Sequence, residues 1–322
     1  MKKVLFATTA LVLSAGVAAA DFKIGGNARA GITYNSNPGF GVTKTQVSMR
    51  LRFNIDASKQ LDSGVTLGGR IRLQSDQNRA ERQATLNQAM LYATSGGLRV
   101  EVGNSSAAYD AMSKLYAAEL GYIGTVQGSY NNSNYTAYQS RSYSAAQQNR
   151  MGVYVAYTIG DIVARASYIT PDQTVTSLPL GTKEELSVSF DYKSGPFAAG
   201  VGYAQNGNFV NNNDIFVIYG EYAINSTTNV GLQYFDNGKT AGGLDKGRTV
   251  TLYGNTKLDG GIGLGAFVSN VDNKAATALG VSEKTAYGIG ASYDLGGATL
   301  AGTIQRTHAK STYADLGISF SF

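Results

Sequence analysis

The 322-residue chain has no cysteine, which excludes disulfides and thiolate metal sites, and its formal charge of +5 is too small to indicate nucleic-acid binding. Forty glycines, 21 tyrosines and 12 phenylalanines, with only four prolines, favour an all-β chain rich in aromatic residues. No proline-rich linker or charge block divides the sequence, so a single large domain is expected.

The N-terminus has the pattern of a secretory signal. Lys2 and Lys3 precede an apolar run that reaches about Val17, and three alanines follow, ending at Ala20. The run is shorter than the roughly 20 residues that a transmembrane helix requires. We therefore expect cleavage between Ala20 and Asp21, with residues 1–20 as signal peptide and residues 21–322 as a transmembrane β-barrel domain.

From Phe22 to the C-terminus, apolar and polar residues alternate in segments of about ten residues, which is the sequence mark of a transmembrane β-strand. The segment VSMRLRFNI illustrates it: its apolar residues share one face, while Ser48, Arg50, Arg52 and Asn54 share the other. We expect the apolar face to contact lipid and the polar face to contact water.

Short connections such as Gly96-Gly97 and Gly296-Gly297 alternate with longer polar ones. Seven short turns, seven longer loops and a last loop near Ala309 predict sixteen strands, with the short turns at one rim. The terminal TYADLGISFSF is typical of a closing strand. The predicted fold is an all-β, transmembrane, 16-stranded antiparallel barrel with its third loop folded inward.

That third loop is the stretch of about 105–149, which is far longer than an ordinary connection. Its first part, AAYDAMSKLYAAEL, has apolar residues at roughly helical spacing and could fold compactly, whereas its second part is polar and rich in tyrosine. We expect this loop to fold into the lumen and to narrow a pore.

Five arginines on three successive predicted strands form a cationic wall: Arg29, Arg50, Arg52, Arg70 and Arg72. Arginines two apart on a strand point the same way and lie about 6 to 7 Å apart. Unpaired charges of this density cannot be buried dry, so the wall should face water. The alternative is a solvated face that binds sugars or lipid head groups at a rim.

The loop offers Asp110 and Glu119 as the acidic side opposite this wall. Opposed charges orient the water between them, so small hydrophilic solutes pass and bulky apolar ones are disfavoured. Lys114 lies between the two acids in sequence, so the negative charge of the loop is modest. We expect no strong cation selectivity.

Several segments together resemble the general porins of photosynthetic alpha-proteobacteria, including MRLRFNI, VGNSSAAYDAMSKLYAAELGY, NNNDIFVIYGEY and NVGLQYFDNG. The resemblance covers essentially the whole mature chain. It implies a homotrimer in the outer membrane, in contact with its lipid and lipopolysaccharide, that passes small hydrophilic solutes and ions by passive diffusion. It implies no required cofactor, and a weak calcium site at Asp110 and Glu119, although calcium takes six to eight oxygen ligands.

Three alternatives remain open. A solute-specific channel on the same barrel could use loop side chains as binding groups, namely Tyr130, Asn131, Tyr135 and Tyr138. An outer-membrane enzyme would need the single histidine, His308, near Ser311, but adjacency in sequence is not geometry. A secreted β-adhesin would also alternate, and would be extracted from cells without detergent.

Overall fold

The computed structural model describes residues 20–76, 84–125, 134–272, 274 and 284–322. Within these ranges, seventeen antiparallel strand segments form one sheet. They are β1 (Asp21–Asn35), β2 (Thr45–Gln60), β3 (Thr66–Asp76), β4 (Thr85–Leu86), β5 (Met90–Ser95), β6 (Leu98–Gly103), β7 (Met151–Ile159), β8 (Ile162–Thr170), β9 (Glu185–Ser194), β10 (Phe197–Gln205), β11 (Ile215–Ala223), β12 (Thr228–Asp236), β13 (Arg248–Leu258), β14 (Ile262–Val271), β15 (Thr285–Asp294), β16 (Ala298–Arg306) and β17 (Thr312–Ser321).

The sheet closes into a barrel of sixteen strand positions, as the sequence predicts. β4 and β5 both pair with β3 and occupy one position, while β1 pairs with both β2 and β17. At the seam, the Gly26 and Phe322 backbones exchange hydrogen bonds of 2.7 and 3.1 Å. Closure leaves no strand edge, so every spanning residue can satisfy its backbone groups within the sheet.

Connections alternate in length around the barrel, again as predicted. Gly96 and Gly97, with φ of 53° and 88°, make the two-residue turn between β5 and β6, a conformation that suits glycine. The longest connection joins β6 to β7 and is called the constriction loop below (residues 104–150). None of the described residues belongs to a helix long and apolar enough to cross a bilayer.

The outer face of the barrel is apolar, as the alternation predicts. Val47, Leu91 and Ile289 are each more than 60% exposed, at 70%, 64% and 63%. Their neighbours two residues along the strand follow the same pattern, as Met49 and Leu51 do after Val47. A continuous apolar band of this kind is typical of the outer surface of a transmembrane barrel.

The inner face is not uniformly polar, so the expectation that it contacts water throughout is wrong for one sector. Val217 and Tyr219 of β11 and Phe235 of β12 face inward and are buried. They pack against Tyr109 and Met112 of the constriction loop. The loop therefore lies on the inner wall through a dry apolar core, because burying these side chains is favourable only where both surfaces exclude water.

The first part of the constriction loop is compact but not helical. Single-turn hydrogen bonds recur along it, such as Ala111 N–H to Ala107 O at 3.0 Å and Glu119 N–H to Tyr116 O at 3.0 Å. Its apolar residues pack against the inner wall and not within a helix: Leu120 packs against Tyr253 and Phe267 in a second buried cluster.

Candidate pore constriction

Carboxylates on the inner wall fix the backbone of the constriction loop at four places. Each accepts a hydrogen bond from a loop N–H. The pairs are Ser106 to Glu101 at 2.8 Å, Ser113 to Asp191 at 2.8 Å, Tyr122 to Asp315 at 3.1 Å and Thr136 to Glu185 at 2.7 Å. Charge-assisted bonds of this kind are stronger than neutral ones, so these four carboxylates define the path of the loop.

Wall side chains also satisfy the loop's carbonyl groups. Gln233, Asn255 and Gln305 donate their side-chain amides to the loop oxygens of Lys114, Ala117 and Thr125, at 2.6, 3.3 and 3.1 Å. A loop without regular structure would otherwise carry unpaired polar groups into the lumen. The wall thus replaces the hydrogen bonds that a helix or a strand would have made.

Four of the five predicted wall arginines line one cavity of about 630 Å³: Arg50, Arg52, Arg70 and Arg72. Arg52 and Arg72 both donate to the Ser140 hydroxyl, at 3.2 and 2.7 Å. The Arg72 guanidinium also lies 4.7 Å from the centre of the Tyr138 ring. The part of the loop that leads back to β7, residues 134–150 and called the return limb below, therefore contacts the cationic wall directly.

Arg29 lies apart from this group. Its guanidinium donates to the carbonyl of Ile123 in the constriction loop at 2.5 Å, and it does not line the cavity. This arginine fixes the end of the first part of the loop, residues 104–125, a role that its spacing along the sequence did not indicate.

Asp110 and Glu119, the predicted acidic side, line the same cavity as the arginines. Asp110 accepts a hydrogen bond from the Tyr116 hydroxyl. Burial raises the pKa of the Glu119 carboxyl to about 7, against the opposing effect of the Arg29 charge. Burial also raises the pKa of Asp110. The structure thus brings both predicted sides of the constriction together.

Lys114 lies between Asp110 and Glu119 in the sequence, but its side chain points to the barrel wall. Its ammonium forms an ion pair with Glu221 of β11, with Nζ and Oε1 2.6 Å apart. The Tyr253 hydroxyl donates to the other oxygen of Glu221 at 2.8 Å. Lys114 therefore fastens the loop to the wall, and its charge is matched there rather than beside Asp110 and Glu119.

Sequence reasoning missed two charged residues of the cavity, Arg99 and Glu101 of β6. They form an ion pair with Nε and Oε1 2.7 Å apart. The signal was present in LRVEV, where two charged residues alternate with apolar ones, as in the segment that carries Arg50 and Arg52.

The predicted solute-binding groups of the loop are separated in the structure. Tyr130 and Asn131 lie outside the described residues. Tyr135 is 7% exposed, with its ring centre 4.9 Å from that of Tyr109 and its hydroxyl 2.5 Å from that of Tyr116. Of this set, Tyr138 alone reaches the cavity among the residues described.

No group of three or more histidine, cysteine or acidic side chains that could hold a metal occurs in the described part of the chain. Asp110 and Glu119 are therefore not joined by a third such ligand there, and the calcium site stays a prediction. His308 is fully buried in the loop between β16 and β17, where the Ser311 hydroxyl lies 2.7 Å from that of Thr307.

Comparison with known proteins agrees with this geometry. A family model described as Gram-negative porin matches residues 7–315. The chain belongs to the Gram-negative porin family. A porin of Fuscovulum blasticum is 33% identical over 304 residues, which cover 94% of this chain and 100% of that protein.

Solved structures of engineered porins from Rh. blastica superpose closely on this porin. An alanine-to-tryptophan variant has a TM-score of 0.84 at 33% identity, and a triple mutant has 0.84 at 32% identity. Each alignment covers 94% of this chain and 100% of the other. This porin is thus a general diffusion channel of the outer membrane, which its barrel crosses with multiple strands, and its family is one of channels rather than enzymes.

Proposed function

We propose that solutes are selected where the arginines of β2 and β3 oppose Asp110 and Glu119. The observation that carries this proposal is that Arg50, Arg52, Arg70 and Arg72 line one cavity with both acids. Small hydrophilic solutes and ions pass through it by passive diffusion, without a catalytic step. Water oriented by the opposed charges makes entry of bulky apolar solutes unfavourable.

The cationic side outweighs the acidic side in this constriction. Arg70 is paired with Asp56, with Nε and Oδ1 2.7 Å apart, and Arg99 is paired with Glu101. Three arginines then face two acids, and burial holds the pKa of Glu119 near neutrality. We therefore expect weak anion preference at neutral pH, in line with the absence of strong cation selectivity expected from the sequence.

Reversal potentials in a planar bilayer under a salt gradient test this assignment. Asp110→Asn with Glu119→Gln should shift the reversal potential further toward anions. The matched control removes two carboxylates outside the cavity, Asp62→Asn with Asp259→Asn, in the exposed turns that follow β2 and β13. An equal shift in both variants would mean that the overall charge, and not the constriction, sets the selectivity.

We infer that the channel is a homotrimer whose subunits meet through β2 to β6. Exposed aromatic residues mark the lipid–water interfaces of a barrel. The exposed large apolar residues of β2 to β6 are all aliphatic, whereas β7 to β10 expose Tyr157, Tyr168, Tyr192 and Phe197 outward. The aliphatic sector therefore suits a protein contact rather than a membrane interface.

Because the sequence has no cysteine, cross-linking of introduced thiols can test this contact directly. A contact in a trimer is heterologous, so the same residue of two subunits need not touch, and a flexible bifunctional thiol reagent is therefore used. Leu67→Cys or Leu91→Cys, both outward and exposed, should be joined between subunits by this reagent. The matched control is a cysteine at Leu186 of β9, also outward and exposed. Cross-linking at Leu186 alone would place the contact elsewhere, and conductance steps that never occur in groups of three would contradict the trimer.

Residues 1–20 are proposed to be a signal peptide removed on export. In support, β1 begins at Asp21, the residue that follows the small-residue pattern. N-terminal sequencing of the outer-membrane protein should give Asp21 as the first residue, and a sequence starting at Met1 would contradict removal.

A further inference from the structure

The inward arginines of β2, β3, β6 and β8 fall into two groups by their partners. Arg70, Arg99 and Arg165 each form an ion pair with a wall carboxylate, at 2.7, 2.7 and 2.9 Å. Within the described part of the chain, no carboxylate lies within ion-pair distance of Arg50, Arg52 or Arg72. The second group is therefore a cluster of charges without direct counter-charges.

The partners of the second group are all neutral oxygens. Arg50 donates to the Asn27 side chain at 3.0 Å, Arg52 to Gln74 at 2.5 Å and Arg72 to Asn54 at 2.7 Å. The Nε of Arg50 is buried and has no acceptor. Each guanidinium has five N–H donors, so most of the donors in the cluster remain available.

Asp76 is the carboxylate that the sheet register brings beside Arg50. It is held by other groups: Arg141 of the constriction loop forms an ion pair with it, and the Gln74 amide donates to it at 2.6 Å. Asp76 is thus committed to fixing the return limb of the loop, which leaves Arg50, Arg52 and Arg72 to act on what enters the cavity.

The Ser140 hydroxyl shows how this cluster holds an oxygen atom. Arg52 Nη2 and Arg72 Nη1 converge on it at 3.2 and 2.7 Å. An anion with several oxygens could take the remaining donors in the same way, because guanidinium groups match the geometry of phosphate and carboxylate oxygens. The cavity of about 630 Å³ lies within the range of roughly 300 to 1,000 Å³ that holds small molecules.

We propose that Arg50, Arg52 and Arg72 form a saturable binding site for a phosphate dianion, either free or as the ester of a small alcohol. This inference rests on the proposed constriction and adds to it a defined ligand class. Two negative charges and multiple acceptor oxygens distinguish such a solute from chloride, which should pass without measurable saturation. The acids of the loop prevent permanent capture, since they lie in the same cavity as the arginines.

The test uses the purified full-length porin in a planar bilayer at about 0.1 M KCl, where charges are screened over about 10 Å. Inorganic phosphate and glycerol 3-phosphate are titrated separately while the chloride current through single open channels is recorded. Both should reduce the current along a saturating curve. Arg50→Gln with Arg72→Gln should weaken the apparent affinity by about tenfold or more, since charge-assisted bonds are lost.

The matched control is Lys59→Gln with Lys193→Gln, which removes two exposed cations that lie outside the cavity. Each double variant lowers the net charge by the same amount, and normal open-channel steps show that it has folded. Phosphate block that survives in the control but not in Arg50→Gln with Arg72→Gln supports the site. Block by inorganic phosphate alone assigns it to the free anion, and block by both probes extends it to esters.

Equal loss of block in the two double variants would overturn the site, since net charge would then explain it. The site would also be overturned if the channel opened in steps of ordinary size and its chloride current fell only in proportion to the phosphate concentration, without saturation. In that case the proposed constriction stands, because its own test is the shift of reversal potential on removal of Asp110 and Glu119.

Discussion

The inward-facing strand residues are buried on one side of the lumen and line the cavity on the other. On the docked side, β8 to β15, inward residues such as Ser187, Val217 and Phe267 are buried beneath the constriction loop. On the arginine side, β2 and β3, inward residues such as Arg50 and Arg70 line the cavity. The difference shows that the loop lies where it can pack against the wall with water excluded. The pore is the part of the lumen that the loop leaves open.

The docked side combines apolar burial with polar satisfaction. Tyr109 and Val217 are 1% and 0% exposed, and burial of apolar area contributes about 25 cal/mol per Å². Asp191 accepts hydrogen bonds from the Ser113 N–H and the Tyr219 hydroxyl and forms an ion pair with Arg165. If the hydrogen bonds to the wall were lost, buried polar groups would be unpaired. If the packing were lost, apolar surface would be exposed to water.

The largest expected effect comes from breaking the docked side at Asp191. In Asp191→Ala, Arg165 loses its ion-pair partner and the Ser113 N–H loses its acceptor, and breaking one partner of a buried ion pair costs about 3 to 5 kcal/mol. The constriction loop should detach in part, so single-channel conductance should rise and become noisy. Asp259→Ala, in an exposed turn, is the control. Unchanged conductance in Asp191→Ala would mean that the loop is held by packing alone.

Next in size is the removal of charge from the arginine side. Arg50→Ala with Arg70→Ala should raise the cation preference, by about 1 kcal/mol or several-fold in permeability ratio per charge, for an ion about 4 Å away in a water-filled lumen. Reversal potentials under a salt gradient measure it. Lys59→Ala with Lys193→Ala removes two exposed charges outside the cavity as a control. An unchanged reversal potential in the arginine variant would count against the constriction.

A smaller effect should follow from pH. Because the pKa of Glu119 is raised to about 7, this carboxyl is protonated below that pH and charged above it. Cation permeability should therefore increase as pH rises from 5.5 to 8.5, most steeply near pH 7. The slope should disappear in Glu119→Gln, and a slope that persists there would assign the titration to another group.

The smallest expected effect concerns one hydroxyl pair on the docked side. Tyr135→Phe removes the contact between the Tyr135 and Tyr116 hydroxyls, and a net hydrogen bond is worth about 1 kcal/mol. The midpoint of thermal unfolding should fall by a few degrees. Tyr168→Phe, on the exposed outer face, should leave it unchanged. An equal fall of the midpoint in both variants would show that the hydroxyl pair makes no specific contribution to stability.

Much of the fold could be predicted because local pattern determines it. Alternation in VSMRLRFNI and glycines in the turns predict strands, faces and the two rims without long-range information. The dry sector was missed, although IFVIY of β11 has apolar residues on both faces, which indicates a strand buried on both sides. The alternation of VSMRLRFNI, extended to every strand, predicts an inner face that contacts water, and β11 departs from that pattern.

The candidate site was predictable in its charges but not in their pairing. Arg50, Arg52, Asp110 and Glu119 were identified from spacing and from the length of the loop. The partner of Lys114 is Glu221, 107 positions away, and no local pattern indicates it. Which arginines lack a carboxylate depends on sheet register and on the path of the loop, so it requires the folded chain.

Cysteine accessibility tests the division of the lumen most directly, because the sequence has no cysteine to confuse the reaction. Ser106→Cys lies in the cavity and Val217→Cys on the docked side. A cationic thiol reagent added to open channels should reduce the current of the first within seconds and leave the second unaltered. Reaction of both cysteines at similar rates would contradict a dry sector beneath the constriction loop.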